Sequence, residues 1–288
     1  MAILGAHMSI AGGYYRAVEA AKQCRCDCVQ LFTKNNNQWR AKPITDEDVD
    51  KFQNALRSLG IAHPIAHDSY LINMASPDRA LWKKSLDSIV VELQRAELLG
   101  IPYVVAHPGA FTTSTEAAGL KKIIKALDEA HRQTPDISAC CLLETTAGQG
   151  SNLGWRFEHL ATILDGVKNP DRLGVCFDTC HVFAAGYAMG TEKEYKATMR
   201  ELNKTIGVKK VKAFHLNDSK TPFGSRVDRH EHIGKGHLGI EPFRYLMNDR
   251  RFRKVPMYLE TAKGDRGKTP WDVVNLRTLR RLLENGDS

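Results

Sequence analysis

Short apolar runs with strand character alternate regularly along this chain with longer stretches of helical periodicity, and few folds accommodate that order. The runs cover residues 3–7, 28–33, 64–68, 103–107, 141–145, 174–178, 211–217 and 257–261. Their near-continuous apolar character suits strands buried on both faces. Between them, residues 45–59 open on Thr45 and a group of acids and stop at Gly60, signals for a helix start and stop. Residues 85–99 place Leu86, Ile89, Val90, Leu93 and Leu98 on one stripe and end before Gly100. Residues 115–131, 155–164, 192–205 and 271–283 repeat the pattern.

Alternation of this kind places the chain in the α/β class and predicts a closed parallel (β/α)8 TIM barrel. The competing arrangement is an open doubly wound sheet. Its glycine fingerprint is absent, because Ala11-Gly12-Gly13 after the first run does not complete G-x-G-x-x-G. No low-complexity linker or simple repeat divides the chain, so residues 1–288 are expected to form a single domain.

A second regularity concerns chemistry. Several of the strand-like runs close on side chains that bind metals: His67, His107, Glu144, Asp178, His215 and Glu260. In a (β/α) barrel the C-terminal strand ends converge on one face, where active sites of this architecture sit. Scattered His, Asp and Glu would not keep choosing the same end of each strand. His181, Asp228 and His230 follow in the loops beyond. Any one of these alone is ordinarily a hydrogen-bonded structural residue or a helix cap. Nine on one predicted face argue for a metal site. Imidazole and carboxylate donors suit zinc, manganese or iron, and nine donors exceed the needs of one ion. A cluster of two or three ions sharing a bridging carboxylate is expected. The thiols Cys24, Cys26, Cys28 and Cys180 are read as buried packing.

Composition narrows the partners and the compartment. The net charge of +8 leans towards a polyanionic partner, with no block of consecutive like charges to mark where it binds. No apolar run approaches the roughly 20 residues that span a bilayer, so no membrane is expected as a partner. The N-terminal residues lack the basic and apolar regions of a secretory signal. Seven cysteines, an odd number, do not make a secreted disulfide framework. Together these features predict a cytoplasmic protein with reduced thiols.

Longer strings stand in fixed order along the chain. They are GAHMSIAGG at 5–13, HDSYLIN at 67–73, AHPG at 106–109, LETTAGQGSNLG at 143–154, CFDTCHVFAAGY at 176–187, HLNDSK at 215–220 and FGSRVDRHEHIGKG at 223–236. In these strings the sequence resembles the endonuclease IV family, enzymes of base excision DNA repair. The resemblance implies three Zn2+ ions per chain, with Mn2+ as an alternative at one site. His67 and His107 would hold one ion, and Glu144 would bridge it to a second completed by Asp178, His215 and Glu260. His181, Asp228 and His230 would hold the third.

The resemblance also implies the reaction. The phosphodiester 5′ to an abasic site in double-stranded DNA would be hydrolysed, leaving a 3′-hydroxyl and a 5′-deoxyribose phosphate. Glu144 and Glu260 would orient the attacking oxygen. Removal of 3′-blocking groups and action as a monomer are implied as well. Tyr70 and Leu71 match side chains that wedge into the base stack, and residues 34–39 match a DNA-recognition loop. Asn37 stands where family members often carry arginine, so this contact departs from the pattern. Gln38 and Asn73 are expected to contact the DNA backbone. Arg226, Arg229 and Lys235 flank the loop that carries Asp228 and His230, and are candidates for phosphate contacts. His7, at the end of the first strand, is expected to orient groups around the metals.

Two other function classes compete. A metal-dependent sugar isomerase or epimerase uses a related barrel, but needs only one or two ions and a closed pocket. The additional His181, Asp228 and His230, and the Tyr70-Leu71 loop, argue against it. A non-catalytic module that binds damaged DNA would have no use for nine ligands.

Overall fold

In the computed structural model, which describes residues 2–283, eight parallel strands join edge to edge into a closed barrel. The strands are Leu4–Met8 (β1), Cys28–Phe32 (β2), Ala62–His67 (β3), Tyr103–Ala106 (β4), Cys140–Glu144 (β5), Leu173–Asp178 (β6), Val211–His215 (β7) and Met257–Leu259 (β8). Neighbours follow chain order, and β1 closes the ring against β8 through the pairs Leu4–Met257 and Gly5–Tyr258. An open doubly wound sheet has no such pairing. Gly5 permits the close approach of β1 to β2, because a β-carbon there would collide with the Cys28 backbone.

Helices cover the outside: Tyr14–Gln23 (α1), Asp46–Leu59 (α2), Arg79–Leu98 (α3), Glu116–Gln133 (α4), Phe157–Gly166 (α5), Thr179–Ala185 (α6), Glu192–Thr205 (α7), Glu241–Met247 (α8) and Trp271–Arg281 (α9). Thr45 and Asp48 form a capping box at the start of α2, and Gly60 ends it at φ 63°. The periodicity starts α3 at residue 85, whereas the helix begins at Arg79. Asp78 caps it, accepting from the Leu81 N–H at 2.6 Å. No residue from Arg79 to Lys84 is fully buried, so the buried stripe that marks the helix begins only at Ser85. Three helices, α1, α6 and α8, have no counterpart in the sequence pattern. In α6 the residues from Thr179 to Ala184 are all buried, which removes the polar face that periodicity depends on. In α8 only seven residues are available, too few to establish a period. No helix among the described residues is long and apolar enough to cross a membrane.

The apolar interior has two parts. The larger lies between barrel and helices; the smaller fills the barrel itself with Cys28, Ile65, Val105, Leu142, Cys176, Ala213 and Tyr258. Side chains two residues apart on a strand point the same way. Two residues on from these seven stand Gln30, His67, His107, Glu144, Asp178, His215 and Glu260 in turn. On β1, Gly5 leads to His7 by the same step. The barrel interior is therefore an apolar plug topped by a polar ring, and strand periodicity alone positions that ring at the C-terminal strand ends.

Candidate metal centre

Glu144 lies at the middle of the ring with no exposed surface. Its oxygens meet His215 Nδ1 at 2.8 Å, His107 Nε2 at 3.0 Å, His67 Nε2 at 3.2 Å and His181 Nδ1 at 3.3 Å. Glu260 Oε2 is 3.1 Å from His215 Nδ1, and Asp178 Oδ2 is 3.7 Å from His230 Nε2. The donor atoms form three groups, each within 4.8 Å: His67, His107 and Glu144; Glu144, Asp178, His215 and Glu260; and Asp178, His181 and His230. Glu144 is shared by the first two, as a bridging carboxylate should be. Asp178 is shared by the second and third, which the sequence pattern did not indicate. Asp228 completes the third group from outside, 3.1 Å from His181 Nε2 and 3.4 Å from His230 Nε2. All nine expected donors come together.

Six of the nine stand at or one residue past a strand end, and three lie farther along the chain. His181 sits on the first turn of α6, where its N–H donates to Asp178 Oδ1 at 2.7 Å. Asp178 thus caps a helix with one oxygen, while the other accepts from Asn217 Nδ2 at 2.6 Å. Asp228 and His230 arrive on the segment after β7, which folds back so that Asp218–Ser219 pairs with His230–Glu231. The buried carboxylate of Asp218 pins this segment. It accepts from the N–H groups of Ser219 at 2.7 Å, Gly236 at 2.9 Å and Leu238 at 3.0 Å. A β-carbon at Gly236 would collide with Asp218 and the Ser219 backbone, so only glycine allows the contact.

At Glu144, Asp228, His67 and His181 burial opposes the charged form, and neighbouring groups overcome it. Against the effect of burial, His215, His107 and His181 hold the Glu144 carboxyl well below its ordinary range. His181 and His230 do the same for Asp228. Burial would lower His67 and His181, yet the carboxylates beside them raise both well above the usual imidazole value. At Asp178 burial prevails and the pKa goes up. Among the described residues these four carboxylates have ion pairs with histidines, and none with lysine or arginine. Imidazoles thus face these carboxylates in the place of lysine or arginine. A donor set of this kind fits divalent cations that take mixed nitrogen and oxygen ligands, which would displace protons from the ligating atoms. His7 behaves differently: burial lowers it to about 3, so it stays neutral beside Glu260.

Two loops stand over the ring. Tyr70 is 66% exposed and packs edge-on against Phe32 with ring centroids 5.6 Å apart; Leu71 is half-buried. Ser69 Oγ donates to the Asn36 carbonyl at 2.6 Å and so ties this loop to residues 34–39. The second loop rests on a buried ion pair, Lys34 Nζ to Glu92 Oε1 at 3.2 Å, and Lys34 also donates to the Gln38 carbonyl at 3.0 Å. Asn37 and Gln38 are exposed on it. Arg226, Arg229 and Lys235 are exposed on the segment that carries Asp228 and His230, and the Arg226 guanidinium lies 3.7 Å over the Trp155 ring. Asn73 is placed otherwise. Its amide donates to the Ala110 carbonyl and accepts from the Ala110 N–H, both at 2.9 Å, which joins the loops after β3 and β4.

A family model described as a xylose isomerase-like TIM barrel matches residues 18–282. A protein of Trichlorobacter lovleyi named "Probable endonuclease 4" is 50% identical over 279 residues, covering 97% of this chain and 99% of its own. The chain belongs to the endonuclease IV family. Endonuclease IV from Thermus thermophilus superposes with a TM-score of 0.87 at 34% identity, covering 98% of this chain and 99% of that one. A D-tagatose 3-epimerase-like protein also matches, with a TM-score of 0.71 over 96% of each chain. At 18% identity it shares the fold alone. The kinship with sugar enzymes is one of architecture.

In this endonuclease IV family member, three residues that organise the site escaped the sequence pattern. Gln30 is a buried amide in an apolar strand, and its spacing of two from Cys28 was the available signal. Glu92 lies on the buried side of α3, where its place in an apolar stripe was the clue. Asp218 offered no local signal, because the N–H groups it holds lie up to 21 residues away.

Proposed function

We propose that this endonuclease IV family member hydrolyses the phosphodiester on the 5′ side of abasic nucleotides in double-stranded DNA, as a metal-dependent enzyme of base excision repair. The observation that carries this reading is the convergence of nine donors into three overlapping groups, in a chain of this family. Three zinc ions would be held: one by His67, His107 and Glu144, one by Glu144, Asp178, His215 and Glu260, and one by His181, Asp228 and His230. When bound, such cations lower the pKa of water towards neutrality and offset the negative charge of a phosphoryl group.

Around them the chain's own residues divide the work. Glu144 and Glu260, each with an oxygen turned towards His215, orient the attacking oxygen. An abasic nucleotide has lost its stacking, so bending the duplex and extruding the sugar cost less there than at intact DNA. Tyr70 and Leu71 hold the gap open by wedging into the stack. Arg226, ordered by its stacking on Trp155, contacts phosphate together with Arg229, while Asn37 and Gln38 touch the backbone from the adjoining loop. The products are a 3′-hydroxyl and a 5′-deoxyribose phosphate, and 3′-blocking groups are removed by the same centre. We place this activity in a single-domain monomer in the cytoplasm, a compartment that suits its seven unpaired thiols.

The test is incision of a duplex carrying one abasic analogue, with and without prior chelation, beside a panel of ketoses and elemental analysis. Incision on the 5′ side, lost on chelation, with about three zincs per chain and no ketose turnover, is the expected outcome. Ketose epimerisation without incision would overturn the reading, and one metal or none would overturn the three-ion assignment.

A further inference from the structure

Seven of the eight upper positions inside the barrel carry histidine or carboxylate side chains. On β2 the position falls to Gln30, which has no exposed surface. Burying a primary amide is costly unless its polar atoms are matched. Here they are matched entirely by other members of the ring. Nε2 lies 2.5 Å from Glu260 Oε1 and 2.9 Å from His7 Nδ1, and Oε1 lies 2.7 Å from His215 Nε2.

The identity of each amide atom follows from its neighbours. A carboxylate accepts hydrogen bonds, so the atom facing Glu260 is the nitrogen. The oxygen then faces His215, and because it can only accept, His215 Nε2 carries a proton. That leaves Nδ1 as the nitrogen that His215 presents to Glu144 at 2.8 Å and to Glu260 Oε2 at 3.1 Å. By occupying Glu260 Oε1, the same amide leaves Oε2 turned to the same place. His7 takes the remaining amide hydrogen on Nδ1, so all the amide's donors are used.

We infer that Gln30 is a positioning residue: it decides which nitrogen of His215 and which oxygen of Glu260 face the Glu144–Asp178–His215–Glu260 group, and so sets how tightly that group holds a divalent cation. This rests on the metal-site reading above. Losing the partner that orients a ligating side chain typically lowers metal affinity about 10–100-fold. The effect should be selective, because Gln30 makes no hydrogen bond to His67 or His107.

Two substitutions test the inference. Gln30→Met removes the amide at similar length, whereas Gln30→Glu keeps an acceptor towards His215. Each metal-loaded protein is dialysed against graded chelator and its metal counted by elemental analysis, beside the thermal midpoint of the stripped protein. The Met variant is expected to release one metal equivalent at roughly 10–100-fold lower chelator than the unsubstituted protein, with the rest unchanged. The Glu variant keeps the acceptor for His215 but sets a carboxylate against Glu260 Oε1 where the amide donated, so it too is expected to release that equivalent more readily than the unsubstituted protein. Equal retention in the Met and unsubstituted proteins overturns the inference. So does loss of every metal together with a matching fall in the midpoint of the stripped protein, the result of a purely structural role. If the unsubstituted protein holds no metal, the metal-site reading itself falls; if it does and the Met variant matches it, only the role of Gln30 falls.

Discussion

Glu144 and Tyr70 show how differently two residues of one site can depend on their surroundings. Glu144 faces His67, His107, His181 and His215 from a position without solvent, so removing it leaves imidazoles pressed together with no carboxylate between them. Glu144→Ala is expected to reduce incision by at least ~10²–10³-fold, the range for losing a central electrostatic group, and to lower metal content in elemental analysis. Full activity in that variant would remove Glu144 from the mechanism. Tyr70 stands exposed on the rim, meeting Phe32 edge-on and His67 at a tilt. Tyr70→Ala should weaken discrimination between abasic and intact duplex in competition binding while leaving metal content unchanged. Loss of metal there would show that Tyr70 supports the ring. The six donors at strand ends were legible in the sequence because residue type and strand end are both local properties. The sharing of Asp178 between two groups was not, since it depends on where α6 and the segment after β7 come to rest.

At the level of elements, the strands speak through a period of two and the helices through one of 3.6, and elements without a contrast of faces stay silent. That is why α2 was legible from Thr45 to Gly60 while α6, buried from Thr179 to Ala184, was not. The loop at 34–39 adds a second kind of hidden support. It stands on Lys34 and Glu92, an ion pair with almost no exposure, and Thr33 Oγ1 donates to the same carboxylate at 2.5 Å. Breaking such a pair from one side leaves the other charge buried and unmatched, at a cost of about 3–5 kcal/mol. Glu92→Ala is therefore expected to lower unfolding free energy by that amount in denaturant titration. Weaker duplex binding should accompany it, because the loop bearing Asn37 and Gln38 loses its footing. A change below about 1 kcal/mol would mean that the pair is relaxed in solution or bridged by water.

For the whole molecule, the net charge of +8 is a poor map of where DNA binds. Residues 208–212 and 250–254, each rich in lysine or arginine, lie far apart in the chain, yet β7 and β8 are neighbours and bring them together. Lys209, Lys212, Arg251 and Lys254 surround a cavity of about 510 Å³ at the N-terminal strand ends, opposite the ring. The five residues of β7 set the two ends roughly 16 Å apart at ~3.3 Å per residue, about two screening lengths at physiological salt. Lys209→Glu combined with Lys254→Glu should thus leave incision of a short abasic duplex within about twofold at that ionic strength. A tenfold loss would show that DNA reaches around the barrel.

Read along the chain, residue type and apolar periodicity were enough for the α/β class, the eight strands and the six strand-end donors, because both are local quantities that exist without the fold. It took the closed barrel to bring Gln30 against Glu260 across 230 positions of chain, to let Asp218 gather the segment bearing Asp228 and His230, and to collect scattered lysines at one cationic end. The first two are matchings of donors with acceptors between distant segments, and the third is a meeting of like charges. Such matching exists only once barrel closure has brought the partners within hydrogen-bonding distance.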